Sequence, residues 1–520
     1  MYFKLLLILL VLSAAQDTCY SDSDCLELNK CEHNKCQHKS LFPLATTEYI
    51  GLVVMIVVSS IANAGGVGGS SMTISLMLLM HKFNPHACVA LTQVFIFAGT
   101  CTATLLKIKD RHPTRDRPLI YYDVLMVIVS PILIGVSIGV LLNPAFPGWL
   151  ILTLLTLIVI VLVWDVLKRS FTLYKKEKSM KSVGPEPNRV KSQVSGKTAS
   201  NLENNKGLNV KASSGSNNEE LEEKKEDVGI SEKKNPTSSN DKIEDNGDDK
   251  VDISLVDGSH EQSPDLSINS PNITPDLLRR LKTIYQDEKK IIAWIPLFYF
   301  LSLAGVSILY SLLKGSATTK SIAGIKPCSN TYFGIAIAYY GFMLTMSILA
   351  SIYLVRKTYV LEQTNYVFDE GDIRWTYKKC FILSSASIFA GIVVGLLGMG
   401  GGNLIGPMLL AMGVRPEIST ISSSFSIFIS SGTAAAMYFI TGVIDFKYAG
   451  WFFMLSVLGS LVGILVLRRI AIKKQRVSLL IFCLFFILFA SLIIIPTTGI
   501  LSAIKQSNEG TFQLGFKSIC

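Results

Sequence analysis

Long runs of apolar residues alternate with short polar stretches along most of the chain. Three of the runs, 119–142, 148–167 and 477–496, exceed the ~18 apolar residues that indicate a transmembrane helix. This pattern predicts an all-α, polytopic membrane protein, because a β-barrel would show short alternating segments instead. The predicted spans lie near 46–64, 86–107, 121–142, 148–168, 291–314, 329–356, 380–398, 417–440, 446–467 and 477–496.

Two further apolar runs are too short to span a membrane. Residues 70–81 and 403–413 each follow a cluster of glycines. At ~1.5 Å per residue, a helix of this length reaches roughly half of the hydrocarbon thickness. We therefore expect re-entrant or broken helices here, which brings the total to about 10–12 membrane segments.

A long polar insert, residues 169–290, separates the first four spans from the rest. It has no aromatic residue between Tyr174 and Tyr285 and is rich in Lys, Glu, Asn, Ser and Asp, which predicts disorder. Its end differs, because Thr274 and Pro275 form a helix start signal and apolar residues then recur on one face. We expect a short amphipathic helix near 275–290, on the cytoplasmic surface of the membrane.

Composition and charge fit this picture. The chain is 49% apolar with a mean hydropathy of +0.42, and its net charge of +10 comes largely from loops rather than from a nucleic-acid-binding surface. Basic residues concentrate in the connections 107–118, 168–178, 356–379 and 468–476. All four loops lie on one side of the predicted topology. This side is expected to be cytoplasmic, which places the N-terminus in the extracellular or lumenal space, in the plasma membrane or an endomembrane.

The first fifteen residues support the same orientation. Lys4 precedes the apolar run "LLLILLVL", and Ser13 and Ala15 are small residues suited to a cleavage site. Residues 1–15 therefore resemble a secretory signal peptide, with an uncleaved anchor as the alternative.

A Cys-rich segment, residues 16–45, follows the signal peptide. Four cysteines within a short polar stretch of a secreted segment predict two disulfides whose pairing is open: Cys19, Cys25, Cys31 and Cys36. His33 and His38 allow a zinc site as the alternative, but an oxidising compartment favours disulfides.

The two glycine clusters belong to an internal repeat. Residues 62–95 align with 394–425, so that Gly66, Gly68 and Gly69 match Gly398, Gly400 and Gly401. The repeats cover 46–168 and 380–497, with linking spans in 291–379 and a tail in 498–520. Because the first repeat starts outside and the second starts in the cytoplasm, the sequence predicts inverted-topology repeats, an architecture typical of secondary transporters.

The glycine breaks predict a site for a small anion near the middle of the bilayer. Each half-helix after a break presents free backbone N–H groups and the positive end of its dipole. Hydroxyl and amide side chains surround both breaks, and neither a metal nor a cofactor is expected. The candidate binding residues are Gly66, Gly68, Gly69, Ser70, Thr92, Gln93, Gly398, Gly400, Gly401, Gly402, Asn403, Ser422, Ser423 and Ser424.

A second group of glycines suggests close helix contact rather than a site. Gly135 and Gly139 are spaced by four residues, as are Gly459 and Gly463 in the matching part of the second repeat. Small residues at this spacing let membrane helices approach closely.

The paired motifs, "GMGGG" and a degraded "GVGG", each followed by an apolar half-helix, resemble the sulfite exporter TauE/SafE family of membrane permeases. The resemblance covers roughly 46–168 and 380–497, but neither the Cys-rich segment nor the insert. It implies transport of sulfite, sulfonates or related anions by alternating access. The first motif departs from the pattern, since Ser70 follows Gly68 and Gly69 where a third glycine is expected.

Two other classes of function were weighed against transport. The sequence contains no H-E-x-x-H motif, and its histidines do not cluster, so catalysis is not expected. A receptor or scaffold could recruit cytoplasmic partners through the insert. Such a protein has no need of two matched breaks, so a permease acting on a small anion in the lipid bilayer is the favoured function.

The orientation can be tested at the sequon Asn272-Ile273-Thr274 in the insert. We expect Asn272 to stay unmodified in a glycosylating host, because the insert faces the cytoplasm. The variant Ser21→Asn, which creates a sequon ahead of Ser23 in the Cys-rich segment, should gain one glycan on a gel-shift assay with glycosidase. A glycan on Asn272 would contradict the orientation.

Overall fold

The computed structural model describes most of the membrane-embedded chain. Residues 1–28, most of the insert and Gly66 lie outside the described residues, so the predicted signal peptide, Cys19 and Cys25 are not part of the description. The described ranges are 29–32, 35–39, 42–65, 68–112, 115–182, 275–290, 293–315, 321–326, 328–364, 366, 368–369, 371–470, 477–508 and 515–516.

Apolar runs form helices in this chain, as predicted. Ten of the described helices are long and apolar enough to cross a membrane, and two shorter apolar helices follow the glycine breaks. In chain order the helices are α1 (Thr46–Gly65), α2 (Ser70–Leu79), α3 (Pro85–Lys107), α4 (Tyr122–Leu142), α5 (Gly148–Ser182), α6 (Pro275–Lys289), α7 (Trp294–Lys314), α8 (Asn330–Gln363), α9 (Tyr377–Leu397), α10 (Gly402–Ala411), α11 (Pro416–Ile440), α12 (Phe446–Val462) and α13 (Val477–Asn508). The protein is an integral multi-pass membrane protein.

Polar residues set several of the helix starts. Asn84 caps α3 by accepting a hydrogen bond from the backbone N–H of Ala87 at 2.7 Å, and Pro85 occupies the first helical position. Thr376 and Asp445 cap α9 and α12 in the same way. Gly398, with φ of 73°, ends α9 in the left-handed conformation that favours glycine.

The described structure differs from the sequence predictions in a few boundaries. Residues 169–182, assigned to the polar insert, continue α5, because Lys, Glu and Met are good helix formers. The helices α8 and α13 extend to Gln363 and Asn508. In the Cys-rich segment, two short antiparallel strands, β1 (Asn29–Glu32) and β2 (Lys35–His38), place Cys31 and Cys36 opposite each other. The disulfides predicted for this segment stay a prediction.

Each glycine break is followed by a helix that returns along the one before it. The Cβ position on Gly51, near the start of α1, lies 2.8 Å from the ring of His81, just beyond α2. The helices around the second break are arranged in the same way. The Cβ position on Gly371, ahead of α9, lies 3.2 Å from the backbone nitrogen of Arg415, just beyond α10. Both pairs are therefore helical hairpins, as the short length of α2 and α10 predicts.

One end of the bundle, the basic end, is formed by residues 108–121, 366–375 and 413–416. Arg117 pairs with Asp372 at 2.5 Å and Arg415 with Asp369 at 3.2 Å, which ties these segments together. Lys357 on α8 pairs with Glu288 of the amphipathic helix α6 at 3.2 Å. The helix α6 therefore lies at the basic end, as predicted.

The opposite end of the bundle holds residues 39–50, 80–86, 143–148 and 440–448. Lys39 pairs with Glu48 at 2.8 Å, and its carbonyl oxygen accepts a hydrogen bond from the Tyr448 hydroxyl at 3.2 Å. His86 lies 3.2 Å from Asn143, measured from Nδ1 to Oδ1. Cys328, in the connection between α7 and α8, is disulfide-bonded, a bridge that the sequence did not predict.

Glycines form the closest helix crossings, as their spacing predicts. At the crossing of α4 and α9, a methyl group on Gly391 would overlap the carbonyl oxygen of Ile132. At the crossing of α1 and α12, a methyl group on Gly463 would overlap the carbonyl oxygen of Ser60. There α12 continues as a wider π-helical turn, Gly463–Arg468. The glycines at these crossings are Gly135, Gly139, Gly391, Gly395, Gly459 and Gly463.

Alanine substitution tests this account of the crossings. We expect Gly391→Ala to lower the midpoint of thermal unfolding in detergent by several degrees, because the added methyl group must push α4 and α9 apart. Gly341→Ala is the matched control, since nothing lies within 4 Å of a Cβ at this position of α8. The control should be neutral or slightly stabilising, because alanine favours the helix by ~1 kcal/mol. Equal midpoints for both variants would contradict the account.

Candidate functional site

The first break depends on the conformation of two glycines. Gly68 and Gly69 have φ angles of 79° and 65°, in the left-handed region. Space is also short, because a Cβ on Gly69 would lie 2.7 Å from the Cβ of Ala62 on α1. A side chain here would be strained and crowded, which explains why the chain uses glycine where it turns from α1 into α2.

The second break uses its glycines mainly for close approach. Gly398 is left-handed and its Cβ position lies 3.0 Å from the Cα of Val89 on α3. Gly401 precedes α10 in a right-handed helical conformation, and a Cβ on Gly402 would overlap the side chain of Ile427 on α11. The break therefore fits tightly between α3 and α11.

The two breaks meet at Ser70. Its Oγ accepts a hydrogen bond from the backbone N–H of Gly400 at 3.4 Å and one from Nδ2 of Asn403 at 3.5 Å. The first residue of α2 thus contacts the first turn of α10, and two positive dipole ends converge. Both hydrogen bonds are long, so the Ser70 hydroxyl and the Asn403 amide can turn toward another partner at little cost.

Three side chains donate hydrogen bonds to carbonyl groups at the end of α9, before the second break. They come from α3, from α11 and from Asn143, the residue after α4. Gln93 Nε2 donates to the carbonyl oxygen of Val394 at 2.6 Å, and Asn143 Nδ2 donates to that of Leu396 at 2.8 Å. The Tyr438 hydroxyl donates to the carbonyl oxygen of Gly395. The bonds from Asn143 and Tyr438 replace intrahelical partners that the break removes, whereas the carbonyl oxygen of Val394 also accepts the backbone N–H of Gly398 at 3.1 Å. Sequence reasoning found only Gln93, because nothing in the local sequence links Asn143 or Tyr438 to α9.

Several buried polar atoms around the breaks lack a partner among the described residues. They are Ser71 Oγ in the first turn of α2, Gln93 Oε1, and Asn403 Oδ1 in the first turn of α10. The three residues are at most 6% exposed. An unpaired buried polar atom costs roughly 1–3 kcal/mol, so a cluster of them indicates a place for a polar ligand or water.

A cavity of about 50 Å³ lies beside the second break. Its wall includes Gly402 and Asn403 of α10 and Ser423 of α11, all candidate residues from the sequence. A turn of the Asn403 amide by 180° would present Nδ2 to the cavity in place of Oδ1. The backbone N–H groups of Asn403 and Leu404 already donate to the carbonyl oxygens of Gly400 and Gly401, so the cavity offers an anion this amide and the positive end of the α10 dipole.

Two isoleucine side chains pack against the glycines of the breaks. Ile427 contacts the Cβ positions of Gly68, Gly400 and Gly402, at 3.9 Å, 3.2 Å and closer. Ile96 lies 3.6 Å from the Cβ position of Gly68. It is the residue that aligns with Ile427 when the two halves of the sequence are compared. The sequence did not single out either isoleucine, because each looks like an ordinary apolar residue of a membrane helix.

Three candidate hydroxyl residues have their contacts elsewhere. Thr92 donates to the sulfur of Met77 at 3.6 Å, and Ser424 donates to the carbonyl oxygen of Thr420 at 2.8 Å. Ser422 accepts a hydrogen bond from the backbone N–H of Tyr121 at 2.9 Å, at the basic end. Gly66, the remaining candidate of the first break, lies outside the described residues.

Ionised groups lie mostly at the basic end, away from the breaks. Burial, followed by the charge of the neighbouring Arg117, lowers the pKa of His112 to about 4, so this histidine is neutral near pH 7. No group of three or more His, Cys, Asp or Glu residues that could hold a metal occurs in the described part of the chain. The glycines and the polar side chains of the breaks themselves supply hydrogen bonding and dipole attraction.

Comparison with known proteins places both breaks in matched regions. The sequence model of the family described as sulfite exporter TauE/SafE matches residues 50–199 and 382–515, more than half of the chain. The chain is 23% identical to sulfite exporter TauE/SafE family protein 3 of Arabidopsis thaliana over 471 residues, which cover 91% of this chain and 82% of the relative. It is 25% identical to family protein 1 of the same plant over 493 residues, covering 93% and 90%. No solved structure matches the chain.

The contact between the breaks can be tested with a pair of serine variants. Ser70→Ala leaves the Gly400 N–H and the Asn403 amide without their acceptor, so it should destabilise the protein by about 1–3 kcal/mol. Ser75→Ala is the control, because the Ser75 hydroxyl donates only within its own helix, to the carbonyl oxygen of Ser71 at 2.8 Å. Thermal unfolding in detergent should show a lower midpoint for Ser70→Ala alone. Equal midpoints would show that the breaks do not depend on Ser70.

Proposed function

The chain belongs to the sulfite exporter TauE/SafE family of membrane permeases, and from this premise we propose that it carries small anions across the bilayer at the site between its two glycine breaks. The meeting of the two breaks at Ser70 carries the proposal. A purely structural bundle has no reason to bring two positive helix ends together, since they repel each other. An anion between them removes that repulsion.

An inverted repeat is part of the proposal, and the contacts of the two hairpins support it. The α1–α2 hairpin has its open end at the side of His81, and the α9–α10 hairpin has its open end at the basic end, beside Arg415. The glycine crossings follow the same relation. The first helix of the first half, α1, crosses α12 of the second half. The first helix of the second half, α9, crosses α4 of the first half, which is the counterpart of α12.

We place the basic end in the cytoplasm. The basic loops predict this orientation, and the disulfide-bonded Cys328 at the opposite end agrees with it, because disulfides persist in oxidising compartments. The cavity beside Asn403 also includes Thr420, in the second turn of α11 from the basic end. The cavity would therefore receive its anion from the cytoplasmic side.

Alternating access requires a thin barrier that can shift from one side of the anion to the other. Ile427 and its counterpart Ile96 would supply that barrier, because Ile427 packs against both breaks and Ile96 against the first. A modest rotation of one hairpin against the other would open the first break and close the second. The glycines permit such a movement, since they have no side chains to interlock.

The substrate class follows from the site and from the relatives. The relatives are named as members of the sulfite exporter TauE/SafE family, and a site made of N–H and amide donors suits an oxyanion with several acceptor oxygens. We therefore propose sulfite or an organosulfonate as the transported anion.

Flux into proteoliposomes tests the function directly. The purified full chain should move at least one of sulfite, sulfate, taurine and sulfoacetate. Asn403→Leu keeps the volume of the side chain but removes its amide from the cavity, so we expect flux to fall roughly tenfold or more. Ser387→Ala is the control, because this buried hydroxyl donates only within α9, to the carbonyl oxygen of Leu383.

The two failures would mean different things. Absence of flux for every anion in the wild-type protein would contradict the transport function. Wild-type flux that Asn403→Leu leaves unchanged would contradict the site but not the function.

A further inference from the structure

The cavity beside the second break contains one basic side chain that the sequence did not connect with the site. Arg169, on α5, lies in the cavity wall together with Asn403 of α10 and Ser423 of α11. The wall is completed by Gly65, Leu162, Asp165, Val166, Gly402, Gly406, Pro407, Ser419, Thr420 and Leu488. A fixed positive charge therefore shares a small space with the first turn of α10.

Asn403 links this cavity to a ligand rather than to packing alone. Its side chain is only 6% exposed, lines the cavity, and has an Oδ1 atom with no partner among the described residues. The hydroxyl groups of Ser419 and Ser423 both donate to backbone carbonyl oxygens, of Gly406 and Thr420. The cavity wall thus has two buried polar atoms that make no hydrogen bond among the described residues, Asn403 Oδ1 at the break and Arg169 Nη2 on α5.

The present partner of Arg169 is a weak one. Its guanidinium lies 2.8 Å from Asp165 Oδ2, one helical turn earlier, and the two side chains are 31% and 36% exposed. An ion pair this exposed to solvent contributes little to stability. An incoming anion can therefore take the place of the carboxylate beside the guanidinium.

The fold does not require a charge at this place. In the second half of the chain, α13 is the counterpart of α5, and its segment 481–504 contains no charged residue. Nor is Arg169 simply one more basic residue of the loop. The neighbouring Lys168 has its amino group 5.1 Å from the ring of Trp164, and it is not part of the cavity wall.

We propose that Arg169 is the anion-selecting residue of the cytoplasmic half of the site, where its guanidinium exchanges the Asp165 carboxylate for the transported anion. This inference rests on the proposed function. A guanidinium binds two oxygens of one acid group side by side. Arg169 should therefore favour oxyanions such as sulfite or a sulfonate over a halide, which has no oxygen pair to offer.

The test measures the KM of sulfite uptake into proteoliposomes for a set of four variants, with chloride as a competitor. Arg169→Gln should raise the KM at least tenfold, and Arg169→Lys should recover part of that loss but compete less well against chloride. Asp165→Asn should lower the KM severalfold, because the anion no longer competes with a carboxylate. Lys168→Gln is the control and should leave the KM within twofold of the wild type.

Each result decides the matter. An unchanged KM in Arg169→Gln, or an equal increase in Lys168→Gln, would overturn the role of Arg169 while leaving the permease function intact. An increase in KM for Asp165→Asn would also overturn it, since that result marks the ion pair as structural. No uptake by the wild-type protein of any anion tested would instead refute the proposed function, and this inference with it. Gel filtration of each variant in detergent confirms that the protein is folded.

Discussion

The structure depends on one constraint, which is that a backbone polar group inside a membrane must have a partner. Each glycine break removes such partners from the middle of a helix. The chain can keep the second break because Tyr438 and Asn143 supply donors to the carbonyl groups of Gly395 and Leu396, while Gln93 adds a second donor to that of Val394. The cost of the break is thereby confined to its N–H side, where α10 begins and where a ligand can bind.

Close contact between backbones makes this arrangement possible. The side chain of Asn143 can reach the end of α9 only because α4 and α9 cross at glycines, where even a methyl group would overlap the facing backbone. The break therefore depends on the close crossing of α4 and α9. Glycines of one kind bring the helices together, and glycines of the other kind interrupt a helix at the point where its neighbours can compensate.

Much of this fold can be predicted from the sequence, because the strongest signals are local. Apolar runs define the long helices, and the glycine clusters, the short runs after them and the Asn84-Pro85 turn define the hairpins. The capping of the carbonyl groups cannot be predicted in this way. Asn143 looks like part of a turn, and Tyr438 looks like an aromatic residue near the end of a membrane helix. Their roles depend on partners far away in the chain, which no local pattern reveals.

Arg169 shows how a misplaced boundary can hide a functional residue. The sequence assigns it to the start of a polar insert, where a basic residue needs no explanation beyond the charge bias of cytoplasmic loops. The helix α5 in fact continues to Ser182, and this continuation carries Arg169 along the same face as Leu162 and Val166 into the cavity wall. A loop charge and a cavity charge differ in their surroundings. A loop charge meets only water and salt, whereas Arg169 lines one wall with the first turn of α10 and the unpaired Asn403 Oδ1, so its guanidinium can contribute to the choice between anions.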